Sequence, residues 1–190
     1  MPDFVDTIMK KDNWVIYKDG IKQESKHISW NSAKTLYLSG MKGTVNFIFP
    51  AGEKWELKII DSSGTTIDIK QSSFLSMSKG EKDEFFKTYR YIIGQVFDNQ
   101  WAWFQDQLKN NRKIYFNKLS LDTKAICYKT FLGKSVAIPI SDLVGHIISS
   151  GYFYIHYRNS KAKIKTIRVG LVSAIPNIHL LQAFIDMQSV

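Results

Sequence analysis

One hundred and ninety residues, 44% apolar and 23% charged, suit one mid-sized folded unit or two small ones and exclude a disordered chain. Four prolines and eleven glycines exclude a collagen-like or linker-dominated architecture, and the single cysteine, Cys127, excludes an intramolecular disulfide and a cysteine-based zinc knuckle. The formal net charge of +9 is unevenly spread: residues 1–110 carry fifteen Lys/Arg against fourteen Asp/Glu, whereas residues 111–190 carry eleven against Asp122, Asp142 and Asp186 alone. Such asymmetry suits either plain solubility or an anionic partner: lipid headgroups, an acidic protein surface or nucleic acid.

Early acids at Asp3 and Asp6 and the lack of a long apolar run near Met1 give no sign of a signal peptide. The longest uncharged run, 169–185, holds 17 residues and Pro176, short of the roughly 20 apolar residues a bilayer span needs. The expectation is a cytoplasmic chain, with peripheral attachment to the inner face of a membrane as the finer expectation.

Phe4, Val5, Ile8 and Met9 stand at helical spacing behind Asp3, which predicts a short N-terminal helix. From Trp14 to about Lys70 the texture is that of strands, over 14–17, 44–49, 55–59 and 65–69. Trp55, Leu57 and Ile59 alternate with Glu56 and Lys58, as in a strand with one wet face. Asp19-Gly20, Ser39-Gly40, 50–52 and 61–64 read as the separating turns. The period then changes. Ser78 and Glu81 have the spacing of a capping box, and Phe85, Tyr89, Ile92, Ile93, Val96, Phe97, Trp101, Phe104 and Leu108 make an apolar stripe at spacings of three and four. About thirty helical residues would reach ~45 Å, so this helix overhangs the first half, bends near Gly94, or reaches the second half.

Strand texture returns over 113–116, 125–131, 135–138, 152–157 and 163–169, with a hairpin turn at Asn159-Ser160. A second helix closes the chain, with Pro176 near its first turn and Ile178, Leu181, Phe184 and Ile185 on one face. The order strands-then-helix therefore occurs twice, dividing the chain at 1–110 and 111–190. A faint echo in sequence accompanies it: Ile28-Ser-Trp-Asn-Ser-Ala33 resembles Ile138-Pro-Ile-Ser-Asp-Leu143.

These features, Asp19-Gly-Ile followed by Ile28-Ser-Trp and Ala125-Ile followed by Ile138-Pro-Ile-Ser-Asp-Leu, resemble the bacterial pleckstrin-homology-like (PH-like) proteins over residues 12–190, as a tandem pair. The resemblance implies an α+β, mainly β fold of two small β-barrels, each closed by a C-terminal helix. It does not carry a phosphoinositide site. The first half offers Lys18, Lys22 and Lys26 among Asp19 and Glu24, and the second offers Lys124, Lys129 and Lys134 without the arginine such sites use. PH-like folds host lipid, peptide and protein binding alike, so the ligand does not follow from the fold.

Enzyme chemistry finds little support. Gly133-Lys134-Ser135 lacks the earlier glycine of a phosphate loop, Tyr128 standing in its place, and reads as a hairpin turn. His27, His146, His156 and His179 are far apart in sequence, and Cys127 between Ile126 and Tyr128 reads as a small buried residue. Asp83 and Glu84 fall in a helical first turn, where the dipole accounts for them. No cofactor and no metal site is expected. The densest cationic element is 158–168. If its strand is regular, Lys161, Lys163 and Lys165 share one face beside Arg158 across the turn, with Arg168 further along the same segment. With Lys129 and Lys134 these residues form the candidate anion-binding set. An edge strand guarded by lysines is the plain structural alternative. The expected function is a non-enzymatic binding or scaffolding module whose basic second unit contacts lipid headgroups or an acidic protein. A nucleic-acid-binding protein and an enzyme of unrecognised type are the alternatives.

Overall fold

The computed structural model describes residues 7–11, 13–45, 49–74, 77–130 and 133–189. It is mostly β, 50% strand and 27% helix. A four-strand meander comes first: β1 (Thr7–Lys11), β2 (Trp14–Tyr17), β3 (Gly20–Gln23) and β4 (Lys26–Ser29). A three-strand meander follows, β5 (Ala33–Val45), β6 (Phe49–Asp61) and β7 (Thr66–Ser73), and then α1 (Lys79–Lys109). The second half repeats the order. It has four short strands, β8 (Ile114–Phe116), β9 (Leu119–Leu121), β10 (Ala125–Lys129) and β11 (Ser135–Pro139), then β12 (Leu143–Ser149), β13 (Tyr152–Arg158) and β14 (Ile164–Gly170). The two-residue β15 (Ile175–Pro176) and α2 (Ile178–Gln188) end it.

The expected pair of closed barrels is not what forms. Among the described residues the strands make four separate open antiparallel sheets, and no barrel closes. Closure needs a staggered ladder kept all the way round. Here strands of three to five residues in β8–β11 run out of ladder before they can wrap. Where sheets meet, side chains make the connection: the Gln23 carboxamide donates to the Asp68 carbonyl at 2.9 Å and accepts from the Asp68 N–H at 3.1 Å.

The repeat echoed in sequence has a physical counterpart. Ile21 faces Ile28 across β3–β4, Ile126 faces Ile138 across β10–β11, and all four are fully buried. The chain then turns in the same way in both halves. Trp30 N–H donates to the Asp19 carbonyl and Ile140 N–H to the Lys124 carbonyl, each at 3.0 Å.

Several local expectations change. Residues 7–11 form a strand paired with β2 instead of a helix, and the rest of that segment lies outside the described residues. The segment 44–49 is not one strand: β5 ends at Val45 and β6 begins at Phe49, with 46–48 outside the described residues. Neither Ser39-Gly40 nor 50–52 is a turn; both lie inside the long β5–β6 ladder. Gly40 is needed there for packing, because a Cβ at that position would come within 2.4 Å of the Trp55 ring. β9 and β12 carry no strong alternation and were not expected. Pro176 belongs to β15, and Asn177, in the left-handed conformation, opens α2.

Helix α1 begins as its sequence predicts, with the Ser78 hydroxyl accepting from Glu81 N–H and the Glu81 carboxylate accepting from Ser78 N–H. Its 31 residues span about 46 Å and reach the second half. Near the start Phe85 and Phe86 pack on Trp55, and near the end Phe104 meets Phe116 and Phe184.

The halves are stitched elsewhere too. β15 pairs with β5 through Ile175–Leu38 and Pro176–Tyr37. Asn177 bonds Leu36 twice, accepting its N–H on Oδ1 at 2.8 Å and donating its own N–H to the Leu36 carbonyl at 2.6 Å. The buried side chains of both halves form one continuous apolar cluster.

Candidate functional site

The basic segment is the β13–β14 hairpin and the turn that joins it. Asn159 builds that turn: its Oδ1 accepts from Lys161 N–H at 3.1 Å and from Lys163 N–H at 3.0 Å, and Ala162 takes a positive φ of 56°. Strand β14 therefore begins only at Ile164, and Lys161 lies in the turn. The expected lysine stripe along one strand face does not form, because alternation holds only where the backbone is extended.

Register decides where each cation goes. Tyr157 pairs with Lys165, His156 with Thr166, Ile155 with Ile167, Tyr154 with Arg168 and Phe153 with Val169. Cross-strand partners share a face, so Lys165 stands on the face of buried Ile167 and Val169 while Arg168 stands on the other. On that second face the Arg168 guanidinium lies 4.5 Å over the Tyr152 ring, Tyr152 and Tyr154 are 6.1 Å apart, and His156 Nδ1 lies 2.9 Å from the Thr166 hydroxyl. Ile147, half exposed, pairs with Tyr154 there, and Ile164 is 63% exposed at the strand's start. The structure thus gathers Arg158, Lys161, Lys163, Lys165 and Arg168 along one hairpin. It leaves Lys129 and Lys134 at the β10–β11 connection, on a different sheet, where Thr130 N–H donates to the Lys134 carbonyl.

Compensation differs sharply between the halves. In the first, Glu56 and Asp68 sit among Lys54, Lys58 and Lys70, Glu84 meets Lys11, and Glu53 meets Lys82 at 2.8 Å. In the second, none of the eleven Lys/Arg forms an ion pair among the described residues. Its acids are occupied elsewhere. Asp122 accepts from the backbone N–H groups of Lys124 and Ala125, bonds that together with the nearby Lys113 and Lys124 charges hold its carboxyl below the usual range. Asp186 lies 3.1 Å from His146, and Asp142 lies beside the Ser141 hydroxyl.

The groups that would carry catalysis stay apart. Among the described residues no three His, Cys, Asp or Glu side chains gather as metal ligands. His156 bonds Thr166 on a strand, His179 is buried against Gln100, and Cys127 is half-buried instead of fully enclosed. A cavity of about 460 Å³ between the halves is lined by Asn31, Ser32, Asn99, Gln100, Trp103 and Asn177 among others, with no carboxylate, histidine or cysteine in its wall. No helix among the described residues is long and apolar enough to cross a membrane.

No family model matches the chain, and no curated protein matches it. The sequence reading missed exposed Ile164 and the Tyr152–Arg168 contact. The alternation Lys163-Ile164-Lys165 was the signal for the first; the second depends on pairing register, which composition does not encode.

Proposed function

We propose that the protein is a non-enzymatic docking module whose basic second half engages an anionic surface, lipid headgroups or an acidic protein, at the cytoplasmic face of a membrane or in the cytoplasm. One observation carries the reading: none of the second half's eleven cations forms an ion pair among the described residues, while five of the first half's fifteen, Lys11, Lys54, Lys58, Lys70 and Lys82, do. Unpaired surface cations leave a positive potential that recruits anions without any built pocket. The twice-used order of four strands, three strands and a helix supports kinship with the PH-like proteins, with open sheets in place of barrels.

Co-sedimentation of the full chain with phosphatidylglycerol vesicles, and titration of labelled poly-glutamate and of a labelled oligonucleotide, each at low and high salt, test the reading. Binding to vesicles or poly-glutamate that weakens with salt is expected. Replacing Lys161, Lys163 and Lys165 together by Gln removes three charges worth about 1 kcal/mol each near an anionic surface, which weakens binding ~100-fold with the circular dichroism unchanged. Tighter binding of the oligonucleotide would replace the reading with nucleic-acid recognition. Absence of binding to all three probes at low salt overturns it.

A further inference from the structure

Strand β14 is the outer strand of its sheet. Its inner side pairs with β13, and among the described residues no backbone or side-chain hydrogen bond reaches its outer side. Alternate residues of such a strand direct both N–H and C=O outward, so an open edge is a row of unmet donors and acceptors.

The first half shows how the same position is treated when it is closed. β7 is the matching outer strand, and its edge is met at Asp68 by the Gln23 carboxamide, which gives one donor and accepts one N–H as a passing strand's peptide group would. The corresponding residues of the second half follow from the matched turns. Asp19 and Trp30 correspond to Lys124 and Ile140, and the buried pair Ile21–Ile28 to Ile126–Ile138, which sets Tyr128 in the place of Gln23. Ile59–Ile67 corresponds to Ile155–Ile167, which sets Arg168, between buried Ile167 and Val169, in the place of Asp68. Tyr128 packs its ring against the apolar cluster and has no amide to offer. Among the described residues the second half therefore lacks the closing bond.

We propose that the open edge of β14 takes up an extended acidic peptide segment of a partner protein as an added strand. This rests on the docking reading above and names its partner. Charge selects the occupant: Lys165 and Arg168 lie on the edge strand, Lys163 immediately precedes it, Arg158 and Lys161 flank its turn, and none forms an ion pair among the described residues. The same charges repel a second copy of β14, so the edge selects an acidic strand against its own kind. The distribution of the cations favours a strand over a bilayer. Lys165 and Arg168 stand on opposite faces of the hairpin, so a flat membrane meets one set, whereas a strand running along the edge reaches both. Exposed Ile164 among the lysines adds an apolar contact, which fits a segment alternating Glu with an aliphatic residue.

The probe is a fluorescein-labelled acetyl-Val-Glu-Val-Glu-Val-Glu-Val amide, compared with the same peptide N-methylated at alternate amides. N-methylation removes the backbone donors of one edge and keeps the charge. Titrations with the full chain are joined by amide hydrogen exchange across β14 and by phosphatidylglycerol vesicles as a separate arm. Saturable binding of the unmethylated peptide, slowed exchange at alternate β14 amides, about tenfold weaker binding to the Lys163→Gln/Lys165→Gln variant and at least ~10-fold loss on methylation are expected. Equal binding of both peptides, or binding to vesicles and not to peptide, overturns strand addition while leaving the docking reading in place. Binding to neither vesicles nor peptide removes both.

Discussion

His179 is the sharpest test of how the two halves hold together. It sits 4% exposed on α2, and its Nε2 lies 2.7 Å from Oε1 of Gln100 on α1. Gln100 in turn donates through Nε2 to the Ala33 carbonyl of β5 at 3.3 Å, so its oxygen is the acceptor and His179 Nε2 carries the proton. Nδ1 is buried without a hydrogen-bond partner among the described residues. Burial pushes the imidazole pKa down from the ordinary 6.5 to about 3. The unfolded chain then binds a proton below about pH 6.5 that the folded chain refuses until near pH 3, so stability present at neutral pH is lost as the pH falls through that window. From about pH 7 to about pH 5 the loss from this one group is about 2 kcal/mol, one and a half pH units at ~1.4 kcal/mol each. Urea denaturation of the wild type and of His179→Gln at both pH values measures it. The glutamine keeps a donor for Gln100 and does not titrate, and the carboxylates cancel between the two proteins. The wild type is expected to lose about 2 kcal/mol more than the variant. Equal losses would show that His179 is solvated in the folded chain and that the joint between α1 and α2 is open to water.

Two further substitutions probe the first half. Glu53, buried in β6, accepts from Lys82 and from Trp55 Nε1 at 3.2 Å; burial alone would raise its pKa, but these bonds and the Lys82 charge hold it below the usual range. Glu53→Ala leaves both donors unmet and is expected to cost about 2 kcal/mol at neutral pH, read as a lower urea midpoint at unchanged slope. Gly40→Ala drives a methyl group into the Trp55 ring, and a loss of about 1–3 kcal/mol with an altered tryptophan emission is expected. Unchanged stability would mean that Trp55 moves aside freely.

How much of this was legible depended on range. The capping box at Ser78 and Glu81 and the apolar stripe behind it located α1, because helix signals lie within a few residues of one another. The echo between Ile28 and Ile138 was legible for a similar reason, since each isoleucine fills a buried cross-strand pair beside the same turn. Ser39-Gly40 misled because glycine reads as a turn residue, whereas here it makes room for Trp55 on the next strand. Thr7–Lys11 misled because four apolar residues fit a helical spacing as readily as a strand, and pairing with β2 settled the matter.

The candidate site divides along the same line. Sequence by itself determined that the charge lies in residues 111–190 and that its densest part is the segment ending at Arg168, because composition and local order need no partner. Only the tertiary structure decided that Asn159 folds Lys161 into a turn, that Lys165 and Arg168 leave the hairpin on opposite faces, and that β14 keeps an open edge where β7 has Gln23. It also decided that the sheets stay open while β15 joins β5 across the halves. Register, edge and closure are relations between strands distant in the chain, set by which backbone groups find partners, and no run of residues contains them.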